Sequence, residues 1–228
     1  IQFYDMETLT PAYIEDKSSN DNHGIIFGPI STAGKVGLAY DFDGTDDRVR
    51  ATNCYGLLEG NNTYSILAWF KADAFGGTKV YWSHAGSINL LYLATSSSGR
   101  FTVSRNAVAT AQAGTSATTG AWQHIGVVFT SATNAQLYVD GALVQSTLPV
   151  ALMTNDADNN VNIGNYRDAE LTSFAFNGAV DEWRVYNKAL TAASVADVYN
   201  DVGAAGGGGV NRSPAVMERW FGYRPRRS

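Results

Sequence analysis

The stretch NGAVDEWRVYNKALTAASVADVY, residues 177–199, changes its periodicity halfway. The first half alternates, with a turn at Asn177-Gly178 and a strand over 179–186. In the second half Thr191 is placed to cap a short helix over 192–199. Alternation puts Asp181, Trp183 and Val185 on one strand face and Val180, Glu182, Arg184 and Tyr186 on the other. The Trp/Val side is expected to look into a core, so Asp181 becomes an acid at the rim of an apolar face. A carboxylate there needs a cation or several donors, because unpaired burial costs on the order of several kcal/mol.

Working outward, the rest of the chain repeats a short-strand pattern. Strands are read over 1–6, 23–27, 37–42, 48–50, 63–71, 79–83, 87–94, 99–104, 121–130, 135–139, 142–146 and 160–164. The run TYSILAWFK at 63–71 sets Tyr64, Ile66, Ala68 and Phe70 against Ser65, Leu67 and Trp69. With apolar residues on both faces it reads as a central strand. Asp43-Gly44 and Asp140-Gly141 read as hairpin turns. A dozen or so short strands with one short helix predict an all-β antiparallel sandwich, a jelly roll, over residues 1–201.

Only 16% of the 228 residues are charged, against roughly 25% in an average soluble domain. Gly, Ser, Thr and Asn fill the gap, as turns require. The net charge of −5 argues against a nucleic-acid partner for the body. No apolar run approaches the ~18 residues that span a bilayer, so no membrane insertion is expected. Cys54 is the single cysteine and reads as a packed thiol. The Ile1 start, without Met, suggests processing or offset numbering. Composition shifts after Asp201: residues 202–210 form a Gly-rich linker, and residues 211–228 a basic, aromatic tail. The tail carries +4, which leaves −9 on the body.

Four segments resemble laminin-G-like, concanavalin A-like jelly rolls, and they come in that family's order. They are DKSSNDNHG (16–24), GLAYDFDGTDDRVR (37–50), AWQHIGVVFTSATNAQLYVDGALV (121–144) and the closing GAVDEWRVYNKAL (178–190). By itself the loop at 16–24 reads as a solvated turn of short oxygen-bearing side chains. The resemblance implies that Asp16 and Asp181, with Asn22 beside them, hold a structural Ca²⁺ tying the opening and closing segments together. Ser19-Asn20-Asp21 departs from the family's usual glycine there. The resemblance also makes His124 a structural residue at the family's W-x-H position. Asp43, Asp46 and Asp47 invite a second cation, although a plain turn explains them as well.

No catalytic arrangement emerges. The histidines (His23, His84, His124) lie in separate segments, and no G-x-S-x-G or G-x-x-x-x-G-K-[ST] motif occurs. Some glucanases of the superfamily carry acids at i, i+2 and i+4 of one strand, and no strand here does. The chain is therefore expected not to be an enzyme, a glycan-active enzyme being the weakest reading. The first of two remaining readings is a structural or assembly subunit of an extracellular, cellular or virion surface. Its tail, with Arg219, Trp220, Phe221, Tyr223, Arg224, Arg226 and Arg227, would latch onto another protein subunit. The second is a lectin-like module that binds glycan. Tyr81, Trp82, Tyr92 and Tyr166 would stack on sugar, and Arg167, Asp168 and residues 155–160 would supply hydrogen bonds.

Overall fold

The computed structural model describes residues 2–4, 6, 13–18, 22–51, 63–85, 90–105, 109–150, 160–166 and 172–203. The predicted tail, Cys54, Arg167, Asp168 and residues 155–159 lie outside them. Strands β1 (Gln2–Tyr4), β4 (Ile30–Ala33), β5 (Leu38–Asp43), β7 (Tyr64–Ala72), β12 (Gln123–Ser131), β13 (Asn134–Val139), β14 (Ala142–Pro149) and β16 (Asn177–Tyr186) build the first sheet. Its order is β14-β13-β12-β7-β16-β5-β4, with β1 also on β16. The second sheet takes β2 (Tyr13–Ile14), β3 (Gly24–Phe27), β6 (Arg48–Ala51), β8 (Lys79–Ala85), β9 (Leu90–Thr95), β10 (Arg100–Arg105), β11 (Ala109–Ser116) and β15 (Asn160–Ile163). Its order is β11-β10-β9-β8-β15-β6-β3-β2. Every ladder among these strands is antiparallel, and the all-β sandwich read from the sequence is the fold observed.

The inner faces form one core. Ile66, Ala68 and Phe70 of β7 meet Trp82, Leu93 and Phe101 of the opposite sheet in it. Leu67, on the other side of β7, joins a second cluster outside the first sheet with Val128, Tyr138, Tyr186, Leu190 and Val195. That cluster seats α1 (Ala192–Gly203), whose N-terminus is capped by the Thr191 hydroxyl accepting from Ser194 N at 3.1 Å. The helix runs past the expected Tyr199 to Gly203, so residues 202 and 203 belong to it and not to the linker.

Three local readings need correction. Simple alternation fails in β16: Asp181 pairs with Trp69 and Arg184 with Leu67, so Glu182 and Trp183 together stand opposite Ala68. Glu182 takes a positive φ of 51°, which makes this a β-bulge. Val180, Trp183 and Val185 therefore share the inner core, while Asp181, opposite the outward Trp69, faces outside. Asp43-Gly44 is not a hairpin turn either, because β5 and β6 lie in different sheets and the segment crosses between them. Asp140-Gly141, with φ of 50° and 77°, is a hairpin turn. Strands β2, β4 and β11 were not anticipated. The sequences ISTA and ATAQAGTS of β4 and β11 hold one large apolar residue between them, the exposed Ile30, and all three strands close a sheet edge.

Candidate functional site

The acids singled out by the sequence are held by backbone donors. Asp16 is buried; its Oδ1 accepts from Phe3 N and Ser18 N, each at 2.9 Å, and its Oδ2 from Ser18 Oγ at 2.9 Å and Asn22 N at 3.1 Å. The Asn22 carbonyl accepts from Tyr4 Oη at 2.6 Å. Asp181 Oδ2 accepts from Val36 N at 2.8 Å. Gly34 makes this approach possible, since a Cβ there would sit 2.7 Å from the same oxygen. Strand β1 runs between the two acids, pairing with β16 on one edge and bonding Asp16 and Lys17 on the other. Hydrogens thus point at the Asp16 lone pairs that a hard cation would need. The residues as arranged do not fit the expected Ca²⁺ bridge among Asp16, Asn22 and Asp181. The pairing of β1 with β16 ties the two segments together instead.

Asp43, Asp46 and Asp47 do approach one another, with oxygens within 4.8 Å. Asp47 Oδ2 accepts from Asp43 N at 2.8 Å, and burial pushes its carboxyl above the ordinary range. His124 is buried against Trp69 and Tyr199. Burial, with the Arg184 charge adding to it, pulls its pKa down to about 3. It is a neutral packing residue, as its position implied.

The second sheet's outer face is arranged differently. Partners directly across antiparallel strands share a face, so the registers define a row: Tyr13, Ile25, Arg50, Asn162, Ser83, Tyr92 and Ser104. Their sequence neighbours Val49, Val161, Ile163, Trp82, Leu91, Leu93 and Val103 point into the core, which sets the row outside. Ser83 Oγ donates to the Asn165 carbonyl at 2.9 Å, and Asn165 Oδ1 accepts from Tyr166 N at 2.7 Å. These bonds bring Tyr166 over the row. Its ring lies 5.2 Å from that of Tyr92, edge to face, and stacks on Phe174 at 5.0 Å. Asn162 is 0% exposed, yet neither polar atom of its amide has a hydrogen-bond partner, and Asn165 Nδ2 has none either. A buried amide left unpaired costs roughly 1–3 kcal/mol per group.

Of the four aromatics proposed for stacking, Tyr92 and Tyr166 are half-buried on this face and brought together. Tyr81 and Trp82, each 1% exposed, are core residues, which corrects that assignment. The register shift between Val80 and Trp82 turns both consecutive rings inward, Tyr81 against Phe70, Phe101 and Phe176 and Trp82 against Trp183. Sequence reasoning missed Asn162, Asn165, Phe174 and Arg50. The only signal for Asn162 was the alternation in NVNI, which marks it as outward and not as unpartnered.

The family model described as "Concanavalin A-like lectin/glucanases superfamily" matches residues 43–196. No curated protein matches the chain. Among solved structures, the chain is similar to the sialidase of Trypanosoma rangeli in complex with the inhibitor DANA. That likeness has 15% identity and TM-score 0.67, and covers 87% of this chain and 32% of that one. It is also similar to domain 4 of AbnA, an extracellular GH43 arabinanase from Geobacillus stearothermophilus, in complex with arabinotriose. Here identity is 20% and TM-score 0.68, with 87% of this chain and 97% of that domain covered. The chain spans about a third of the sialidase. At these identities the likenesses show the fold.

Proposed function

The chain belongs to the concanavalin A-like lectin/glucanase superfamily, and on that footing we propose that it binds carbohydrate on the outer face of its second sheet. The observation that carries the reading is the buried Asn162 amide, unpartnered at both polar atoms, in one row with Tyr92 and beside Tyr166. An amide offers a donor and an acceptor side by side, which suits adjacent sugar hydroxyls, while the Tyr92–Tyr166 pair offers ring edges and faces for stacking. The neighbour whose structure holds arabinotriose supports a sugar ligand for this fold. We read the role as binding without catalysis, because no strand carries acids at i, i+2 and i+4.

Titration calorimetry with arabino-oligosaccharides and a panel of neutral and acidic oligosaccharides tests this. Asn162→Ala and Tyr166→Ala should each weaken binding about tenfold, roughly 1.4 kcal/mol. A wild type that binds no member of the panel, or variants that bind as well as wild type, would overturn the assignment.

A second reading, assembly of subunits on an extracellular or virion surface, rests on the tail's +4 against the body's −9. Trp220, Phe221 and Tyr223 would anchor it, and Arg219, Arg224, Arg226 and Arg227 would pair with acids of a neighbouring subunit. Truncation after Gly203, the end of α1, should leave a folded protein that sediments as a smaller species. Unchanged sedimentation removes the latch.

A further inference from the structure

The four sheet edges, β14 and β4 in the first sheet and β11 and β2 in the second, differ in how well they resist a further strand. β2 is two residues long. β14 carries two register shifts against β13, and β11 carries one against β10; such irregularity spoils an edge for pairing. β4 pairs with β5 without a shift, from Ile30 opposite Asp41 to Ala33 opposite Leu38. Its sequence ISTA has no charge to repel a partner strand. Ile30 is 67% exposed, more than any other large apolar side chain among the described residues. Of the four edges, β4 is the one left unprotected.

The turn after β4 fixes where its backbone groups point. Gly34 N donates to the Gly37 carbonyl at 2.9 Å, so Ala33 and Leu38 form a pair that exchanges no hydrogen bonds. Alternation then turns the N–H and C=O of Ile30 and Thr32 toward β5, and those of Ser31 and Ala33 away from it. Ser31 and Ala33 are exposed, and these outward groups have no partner among the described residues. They are a template for an extended segment.

Charge selects the segment and its direction. Asp41 faces out beside Ile30, and Asp43 follows on the same face of β5. Asp46 and Asp47 bring their oxygens within 4.8 Å of those of Asp43, and Asp47 lies against Gly28, just before β4. Burial, then the Asp73 charge, pushes the Asp41 carboxyl up, with Lys71 acting the other way. Five aspartates thus gather at the Ile30 end of the edge. The tail is the chain's basic segment, at +4. Its residues 215–221 contain no Pro or Gly, and Arg224, Arg226 and Arg227 come after them. A strand antiparallel to β4 ends beside Ile30 and delivers those arginines to the acids; a parallel one would end at Ala33, away from them.

We propose that β4 takes the tail of a neighbouring copy as an added strand, residues 215–221 running antiparallel to it, with Arg224, Arg226 and Arg227 among Asp41, Asp43, Asp46 and Asp73. This rests on the assembly reading and names the surface that the latch grips.

Amide exchange followed by NMR, together with sedimentation, tests it on the full chain. The Ser31 and Ala33 amides should exchange at least tenfold more slowly in the full chain than after truncation at Gly203. The Thr32 amide, turned to β5, is the internal control and should be the same in both. Every strand of both sheets ends before Gly203, so truncation keeps the sandwich whole. If the truncated protein does not fold, the full chain with Arg224→Gln, Arg226→Gln and Arg227→Gln carries the comparison. A synthetic peptide of residues 211–228 should restore the slow exchange to the truncated protein. The peptide with those three substitutions should bind tenfold or more weakly at low salt, and the gap should close as salt rises. Ile30→Lys, at an exposed position, should weaken the wild-type peptide about tenfold. Truncation that reduces the sedimenting species without changing the Ser31 and Ala33 amides overturns the β4 surface and leaves assembly standing. Sedimentation unchanged by truncation overturns the assembly reading and this proposal with it. A full chain that sediments as a monomer with slow Ser31 and Ala33 amides places the tail on its own subunit and overturns the exchange between copies. Ile30→Lys that binds the peptide like wild type also overturns the proposal.

Discussion

Outside the first sheet, Leu67, Val128, Tyr138 and Tyr186 are closed over by Leu190 and by Val195 of α1. Outside the second, Arg50, Asn162, Ser83 and Tyr92 hold the positions in the middle of the ladder, and no helix among the described residues covers them. Both faces belong to one sandwich with one shared core, so the core does not dictate the difference. An apolar outer face is stable only under a lid, because apolar area exposed to water costs about 25 cal/mol per Å². A polar outer face needs no apolar lid, but a buried amide on it, such as that of Asn162, carries a desolvation penalty until something bonds to it. On the first side the apolar residues are closed over within the chain, and on the second the Asn162 amide is buried without a partner at either polar atom.

The largest expected effect lies under the helix. Leu67→Ala should lower stability by about 2–5 kcal/mol, read as a lower urea midpoint, while the folded fraction keeps its sugar binding. Equal loss of binding and stability would mean that the faces are not independent.

The next effect is pH-dependent and belongs to the same face. His124 has an ordinary pKa of 6.5 and is held down to about 3 in the fold. Between those values the unfolded chain binds a proton that the folded protein does not, so stability falls as pH falls through 6.5 toward 3. By pH 5 the loss is about 2 kcal/mol. His124→Gln should remove that part of the difference between urea midpoints at pH 7 and pH 5. An unchanged difference places the proton elsewhere.

Thr191→Ala removes the cap of α1 and should cost about 1 kcal/mol, with faster amide exchange in the first turn of α1 and no change at the second sheet. The smallest stability effect is expected at Asn162. Asn162→Leu removes an unpaired amide, so the melting temperature should stay level or rise while sugar binding weakens tenfold or more. A fall as large as that of Leu67→Ala would make Asn162 a structural residue and erase the contrast.

The sandwich was legible because its information is local and repeated. The alternation of TYSILAWFK, the Thr191 cap and the Asp140-Gly141 turn each act within a few residues. Edge strands β4 and β11 were not legible, since ISTA and ATAQAGTS owe their pairing to neighbours far along the chain. The site was half legible. Tyr92 and Tyr166 were named from their chemistry, but nothing local shows that Ser83 draws Asn165 and Tyr166 over the row. Nor does pattern reveal that a register shift sends Tyr81 and Trp82 inward together. Asp181 was placed on the wrong face for a related reason: alternation assumes equal residue counts on both sides of a ladder.

The bulge at Glu182 makes β16 one residue longer than β7 over the same span. Chain length there is therefore a local quantity. If Glu182 were deleted, Val180, Trp183 and Val185 would still face the core and Asp181 and Arg184 would still face out, now in an unbroken ladder. The same deletion at Ala68, one strand over, would exchange the faces of half of β7, turning Leu67 into the core at Ala68's place and Ile66 out. The strand that closes the sandwich thus has one position where a codon can be lost without a change of sides, and it carries the glutamate bonded to Arg184.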